Sequence, residues 1–458
     1  MPGFRSGSTS SPSRLTTAAT ALALATLLAA CGGGGDGGGY HPVPPPASPA
    51  NPAPPAAPIP PAAPTPPAEP TSPAAPTPPV DPTPPTTPPA EPPAQHDQGP
   101  LYDFTEVGVP GSTYGTVIHQ GIANGGLVAG TSWDAAGVAH AFLYNGKTNI
   151  DLGTFGGVHA RAFAVNRCGQ VAGWGMTAAG IPHAFFYNGS LHDLGPVGSP
   201  ESWGTAITTC GKVAGWSVTS AGQPHAFYYD GKTMRDLGTL GGAASGAADM
   251  NAAGQVVGYA AVPGDGVLHA FLYDARTGAP LLDIGPAGRF SQALDINEAG
   301  QVAIGTRDAD GQLRAFRYDA GAGTLQDLGL LPDSRGSEPH AINAAGHVVG
   351  YVSYPDNRQV AFVHDGSTMH SLATLNGGRV ADANAINASG LVVGFAVDGL
   401  GGAERATAWG PGYGLVDLNT RVKDLPAGVE LLSALAVADD GAIVVRTRTG
   451  LGLLRPRK

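Results

Sequence analysis

From residue 101 onward the apolar positions come in bursts of five or six, cut by glycine, asparagine and aspartate, and no window of ten or more holds a helical period. The stretch His225–Gly258 shows one whole cycle. H-A-F-Y-Y is followed by the turn D-G-K, then T-M-R-D-L-G, the small-residue run S-G-A-A-D-M-N, the turn A-A-G and Q-V-V-G. Short segments rich in Val, Ile, Phe and Tyr, bounded by such turn formers, read as strands. The cycle recurs. The glycine opening its G-x-V segment stands at Gly126, Gly169, Gly211, Gly254, Gly300, Gly346, Gly390 and Gly441. Four strands per roughly 40–45 residues is the blade signature of a β-propeller.

We name the strands a to d: a ends in I-N, b carries G-Q-V-V-G, c is H-A-F-L-Y and d is D-L-G. The segment Y-D-F-T-E-V-G from Tyr102 reads as a lone d strand, while the chain finishes with a (Glu430–Ala438), b (Ala442–Thr447) and c (Leu451–Arg455). Joining the two ends gives an all-β, eight-bladed β-propeller of four-stranded blades, its last blade closed by the N-terminal strand and left without a free edge. Strand a has the smallest side chains (G-A-A-D-M, A-N-A-I) and belongs innermost. Strand c has the large aromatics, which fill the gap where blades diverge. The a–b and c–d turns are short and repetitive, as Asn/Asp-Gly hairpins are. The b–c and d–a loops vary and share the other face, where binding is expected.

Chemistry must then come from unrepeated polar residues on that variable face. The candidates are Glu201, Trp203, Asp265, Asp333, Arg335, Glu338, His340 and Glu404. The repeated histidines His140, His183, His225 and His269 occupy the same strand of different blades, so symmetry holds them too far apart to share one ion. They are expected to pair with backbone or with the repeated acids Asp151, Asp193, Asp236, Asp283 and Asp327, themselves read as turn or strand-end acceptors. No P-loop, G-x-S-x-G elbow or H-E-x-x-H is present, and no catalytic residue, cofactor or metal is assigned. Cys168 and Cys210 lie in the a–b turns of adjacent blades. A disulfide needs their Cα atoms within about 7 Å; the alternative is two small turn residues.

A net charge of −11 without a basic cluster argues against nucleic acid as a partner. Ahead of the repeats, Arg5 and Arg14 precede the apolar run Leu15–Leu28, and Leu28-Ala29-Ala30-Cys31 follows. This resembles a bacterial lipobox, which implies lipidation at Cys31, export, and a membrane partner reached through the lipid, in the outer membrane. From Gly32 to residue 99 the chain is Gly-rich and then Pro-rich, with most of the 43 prolines. Such a segment stays extended as a polyproline stalk reaching on the order of 150 Å.

With H-A-F-x-Y, D-L-G-T-x-G-G and I-N-x-x-G-x-V-x-G recurring in fixed order over residues 101–455, the chain resembles the bacterial extracellular HAF-repeat proteins. The resemblance implies a secreted or surface location and a propeller-like fold, and brings no activity with it. The expected function is a monomeric, lipid-anchored module that binds a protein or glycan through the variable face. Two alternatives stand beside it. One is a polysaccharide hydrolase or lyase with paired carboxylates roughly 5–10 Å apart at the channel mouth; the other is a structural envelope component.

Overall fold

The computed structural model describes residues 99–264, 266–308 and 310–457. The leader, the stalk up to residue 98, Cys31 and Asp265 lie outside them. The described chain forms eight antiparallel sheets. Blades 2 to 7 each run a-b-c-d in sequence, with a strands at Gly156–Val165, Ser202–Ile207, Ser245–Met250, Phe290–Ile296, Gly336–Ile342 and Ala381–Ile386. Blade 8 takes a, b and c from Leu431–Val437, Ile443–Thr447 and Leu451–Pro456, and its d strand is Tyr102–Val107. That pairing is unbroken from Tyr102 opposite Pro456 to Val107 opposite Leu451. Tyr102 is fully buried, and Arg421 ties down the incoming chain through the carbonyl of Gly99. The eight-bladed, end-to-end closed ring expected from the repeat count is the fold observed.

Packing between blades follows the wedge. Phe142, Phe185, Phe227, Phe271 and Phe362, one from each of five c strands, have no solvent exposure. They sit in apolar layers shared by neighbouring blades, as Phe271 does with Ala206, Ala226 and Tyr228. Burying one such ring contributes about 2–3 kcal/mol. Polar clasps repeat alongside. In blades 2, 4, 5, 6 and 7 the Asn that ends the a strand donates to a carbonyl in the next blade: Asn166 to Thr208, Asn251 to Asn297, Asn297 to Asn343, Asn343 to Asn387 and Asn387 to Ala438. Between blades 8 and 1, Asn124 accepts from the Asp439 amide.

The a strands of blades 2 to 8 carry a register shift near their C-terminal ends, as between Ala247 and Asp249. The bulge pushes the a-strand backbone against strand b. A Cβ on Gly215 or Gly258 would stand 1.9 or 2.0 Å from the carbonyl oxygen of Trp203 or Gly246. This close approach is why V-x-G recurs in strand b. Blade 1 departs from the plan. Its a strand is split into Tyr114–Thr116 and Ile122–Ala123 by a single 3-10 turn, His119–Gly121, packed between the a strands of blades 8 and 2.

Candidate functional site

The repeated histidines take the structural role expected of them. Nδ1 of His140, His183, His225 and His269 lies 2.8–2.9 Å from Asp151, Asp193, Asp236 and Asp283 respectively, each pair joining strand c to strand d of its own blade. The second carboxylate oxygen, or the same one in His225–Asp236, accepts from the glycine amide two residues on: Gly153, Gly195, Gly238 and Gly285. Where Arg314 replaces the histidine, it still lies 3.9 Å from Asp327.

The candidate binding residues divide. Asp333 and Arg335 are exposed in the d–a loop before blade 6, Asp333 with a left-handed φ of 61°. Glu201 is partly buried before blade 3, which raises its carboxyl above the ordinary value. Glu404 opens the c strand of blade 7 and is held 2.6 Å from Arg446. Trp203, Glu338 and His340 are corrections. They are not loop residues: they belong to a strands, which begin earlier than the loop-like sequence implied. Trp203 is buried and stacked on Trp216, with ring centroids 3.6 Å apart. Glu338 is buried and accepts a 2.8 Å bond from the Tyr351 hydroxyl. His340 fills the bulge of its strand, its Nδ1 3.2 Å from the fully buried Asp382. Burial alone would lower the His340 pKa, but the charge and hydrogen bond of Asp382, with Glu338 beyond, lift it to about 9. Cys168 and Cys210 are exposed, free thiols rather than a bridge.

The innermost strands thus hold titratable groups among their small residues. The tightest set is His119, Asp249 and Asp295, from blades 1, 4 and 5, whose ligand-type atoms all lie within 4.8 Å of one another. Both aspartates are buried. The Asp249 carboxylate accepts from the Ile296 amide of blade 5, and Asp295 from the Ile342 amide of blade 6, at 3.0 and 2.8 Å. Burial and then the Asp295 charge push Asp249 well above the ordinary carboxyl range. In Asp295, burial is outweighed by the charge of His119 and by hydrogen bonds with Asp249 and the Ile342 amide, and the pKa is lowered. Sequence reasoning missed this set because nothing in the repeat marks His119, and Asp249 was read only as one member of a strand of small side chains.

A second cluster lies in blades 1 and 2. Tyr114 begins strand a and Trp133 ends strand b of blade 1, so both stand at the variable-face end, ring centroids 5.3 Å apart. The Arg161 guanidinium of blade 2 sits 5.2 Å from the Trp133 ring and 5.9 Å from Trp174. All four side chains are only partly buried. Partly exposed aromatic planes with an interleaved cation offer stacking and cation–π contact to a ligand.

No protein-family model and no curated protein sequence matches the chain. Among solved structures it is similar to TolB from Acinetobacter baumannii, at 12% identity over 69% of this chain and 77% of that one, TM-score 0.34. A puromycin hydrolase matches at 12% identity over 76% of this chain and 61% of its own length, TM-score 0.45. The BP39L lectin from Burkholderia pseudomallei matches at 13% identity over 68% and 96%, TM-score 0.38.

Proposed function

We propose that this chain is an exported, lipid-anchored binding module of the bacterial envelope. Cys31 holds it to the outer membrane, the Pro-rich stalk spaces it from lipid, and the propeller takes a glycan or protein ligand at its variable face. The observation that carries the binding role is the partly exposed Tyr114–Trp133–Arg161–Trp174 cluster, which offers ring faces and a cation from neighbouring blades. The hydrolase reading finds less support. The carboxylates that meet at the axis, Asp249 and Asp295, are in hydrogen-bonding contact, too close for the 5–10 Å spacing glycosidic chemistry uses.

Two measurements test the proposal. On a glycan array and in pull-downs from envelope extracts, the wild-type chain retains a ligand, and Trp133→Ala or Arg161→Ala weakens it about tenfold, as loss of one stacking or cation–π contact does. Unchanged retention by both variants, or turnover of a polymer, contradicts the reading. Separately, Cys31→Ser moves the protein from the membrane to the soluble fraction; persistence in the membrane rules out the lipid anchor.

A further inference from the structure

The geometry points to a divalent metal site on the propeller axis, formed by His119, Asp249 and Asp295, that takes a first-row transition ion of the Mn2+ or Zn2+ class. Three observations converge on it. The 3-10 turn that breaks the a strand of blade 1 carries an imidazole inward, and in a ring of eight blades its partner Asp295 belongs to the blade directly opposite. His119 Nε2 is shielded from solvent, has no hydrogen-bond partner, and stands 3.7 Å from Asp295 Oδ1. That gap is too long for a hydrogen bond and suits two atoms ligating one ion. Finally, the two carboxylates approach closely in a buried setting and are each oriented by a backbone N–H from the following blade, the kind of outer support metal-binding carboxylates have.

Ligand atoms about 2.1 Å from one ion lie at most about 4.2 Å apart. All the ligand atoms lie within 4.8 Å of one another, so no pair has to close by more than about 0.6 Å. One imidazole nitrogen with two carboxylate oxygens suits Mn2+ or Zn2+, whereas Ca2+ takes all-oxygen sets. Water completes the coordination. The ion would act as a strut, linking blade 1 to blades 4 and 5 across the axis, and is independent of the proposed ligand patch.

The test uses the tag-free full chain stripped with EDTA. MnCl2 or ZnCl2, each alone, is titrated calorimetrically, with bound Mn2+ also read as loss of its free-ion electron paramagnetic resonance signal. We expect one ion per chain and a Tm raised by about 4 °C at a hundredfold excess over Kd. His119→Gln removes the nitrogen ligand and weakens binding by about two orders of magnitude, while His183→Asn, in a repeat pair, leaves it intact. Wild-type protein that binds neither ion at millimolar concentration overturns the assignment. So does equal binding by His119→Gln, or a site that accepts Ca2+ in preference to both. Because the wild-type titration decides the first point, a variant that fails to fold leaves the test standing.

Discussion

At the residue scale, the informative contrast is between histidines. His183 and its repeats were legible because their partners lie within the same blade, one tight turn away, so local sequence contains the whole interaction. These pairs are partly exposed, and His225→Ala is expected to cost at most about 1 kcal/mol in chemical denaturation. His340 is different. It is nearly buried against Asp382, and its pKa is lifted from 6.5 to about 9. A histidine raised in the folded state contributes stability that is complete below its unfolded pKa and is lost as pH rises through the folded one. Stability should therefore fall between pH 6.5 and 9, by about 3 kcal/mol at most from this group. Denaturant midpoints across that range check it: His340→Gln should flatten the slope, and an unaltered slope would show that the pair contributes nothing. His119 was not legible. Its neighbours are 130 and more residues away in sequence, and only closure of the ring brings them together.

At the element scale, turn chemistry made the strands readable, since Asn/Asp-Gly turns mark where each one ends. The bulge in strand a was hidden, because A-R-A-F-A-V alternates as an unbroken strand would. Its signature was instead in the neighbouring strand, in the glycine of V-x-G. Gly215→Ala would put a methyl group 1.9 Å from the Trp203 carbonyl oxygen and is expected to cost ~3 kcal/mol by overpacking. Gly222→Ala, in an open turn with nothing within 4 Å, tests backbone strain alone and should cost about 1 kcal/mol. Equal losses in thermal unfolding would contradict the steric account. The asparagine clasps belong at this scale too. Asn297→Ala removes the donor from blade 5 to the Asn343 carbonyl, which keeps the Gly346 amide, and the acceptor of the Ala299 and Gln301 amides, with an expected loss of about 1–3 kcal/mol. Trp203, Glu338 and His340 were unreadable because Pro, Glu and Ser near them look like loop composition, yet the inner strand accepts Trp203 stacked on Trp216, Glu338 bonded to Tyr351 and His340 in the bulge.

At the scale of the molecule, counting d strands at one end and a, b and c at the other was enough to fix eight blades and their closure, because a ring leaves no edge unpaired. What composition could not supply was the meeting the ring creates on its axis, where His119 of blade 1 reaches Asp249 and Asp295, equivalent positions of blades 4 and 5. Both the axial triad and the two unequal faces depend on Tyr102–Val107 completing blade 8. Amide hydrogen exchange over this segment tests that dependence most directly. The closed ring predicts that Phe104 to Val107 exchange as slowly as their partners Leu451 to Leu454; exchange at the rate of a free chain would contradict it.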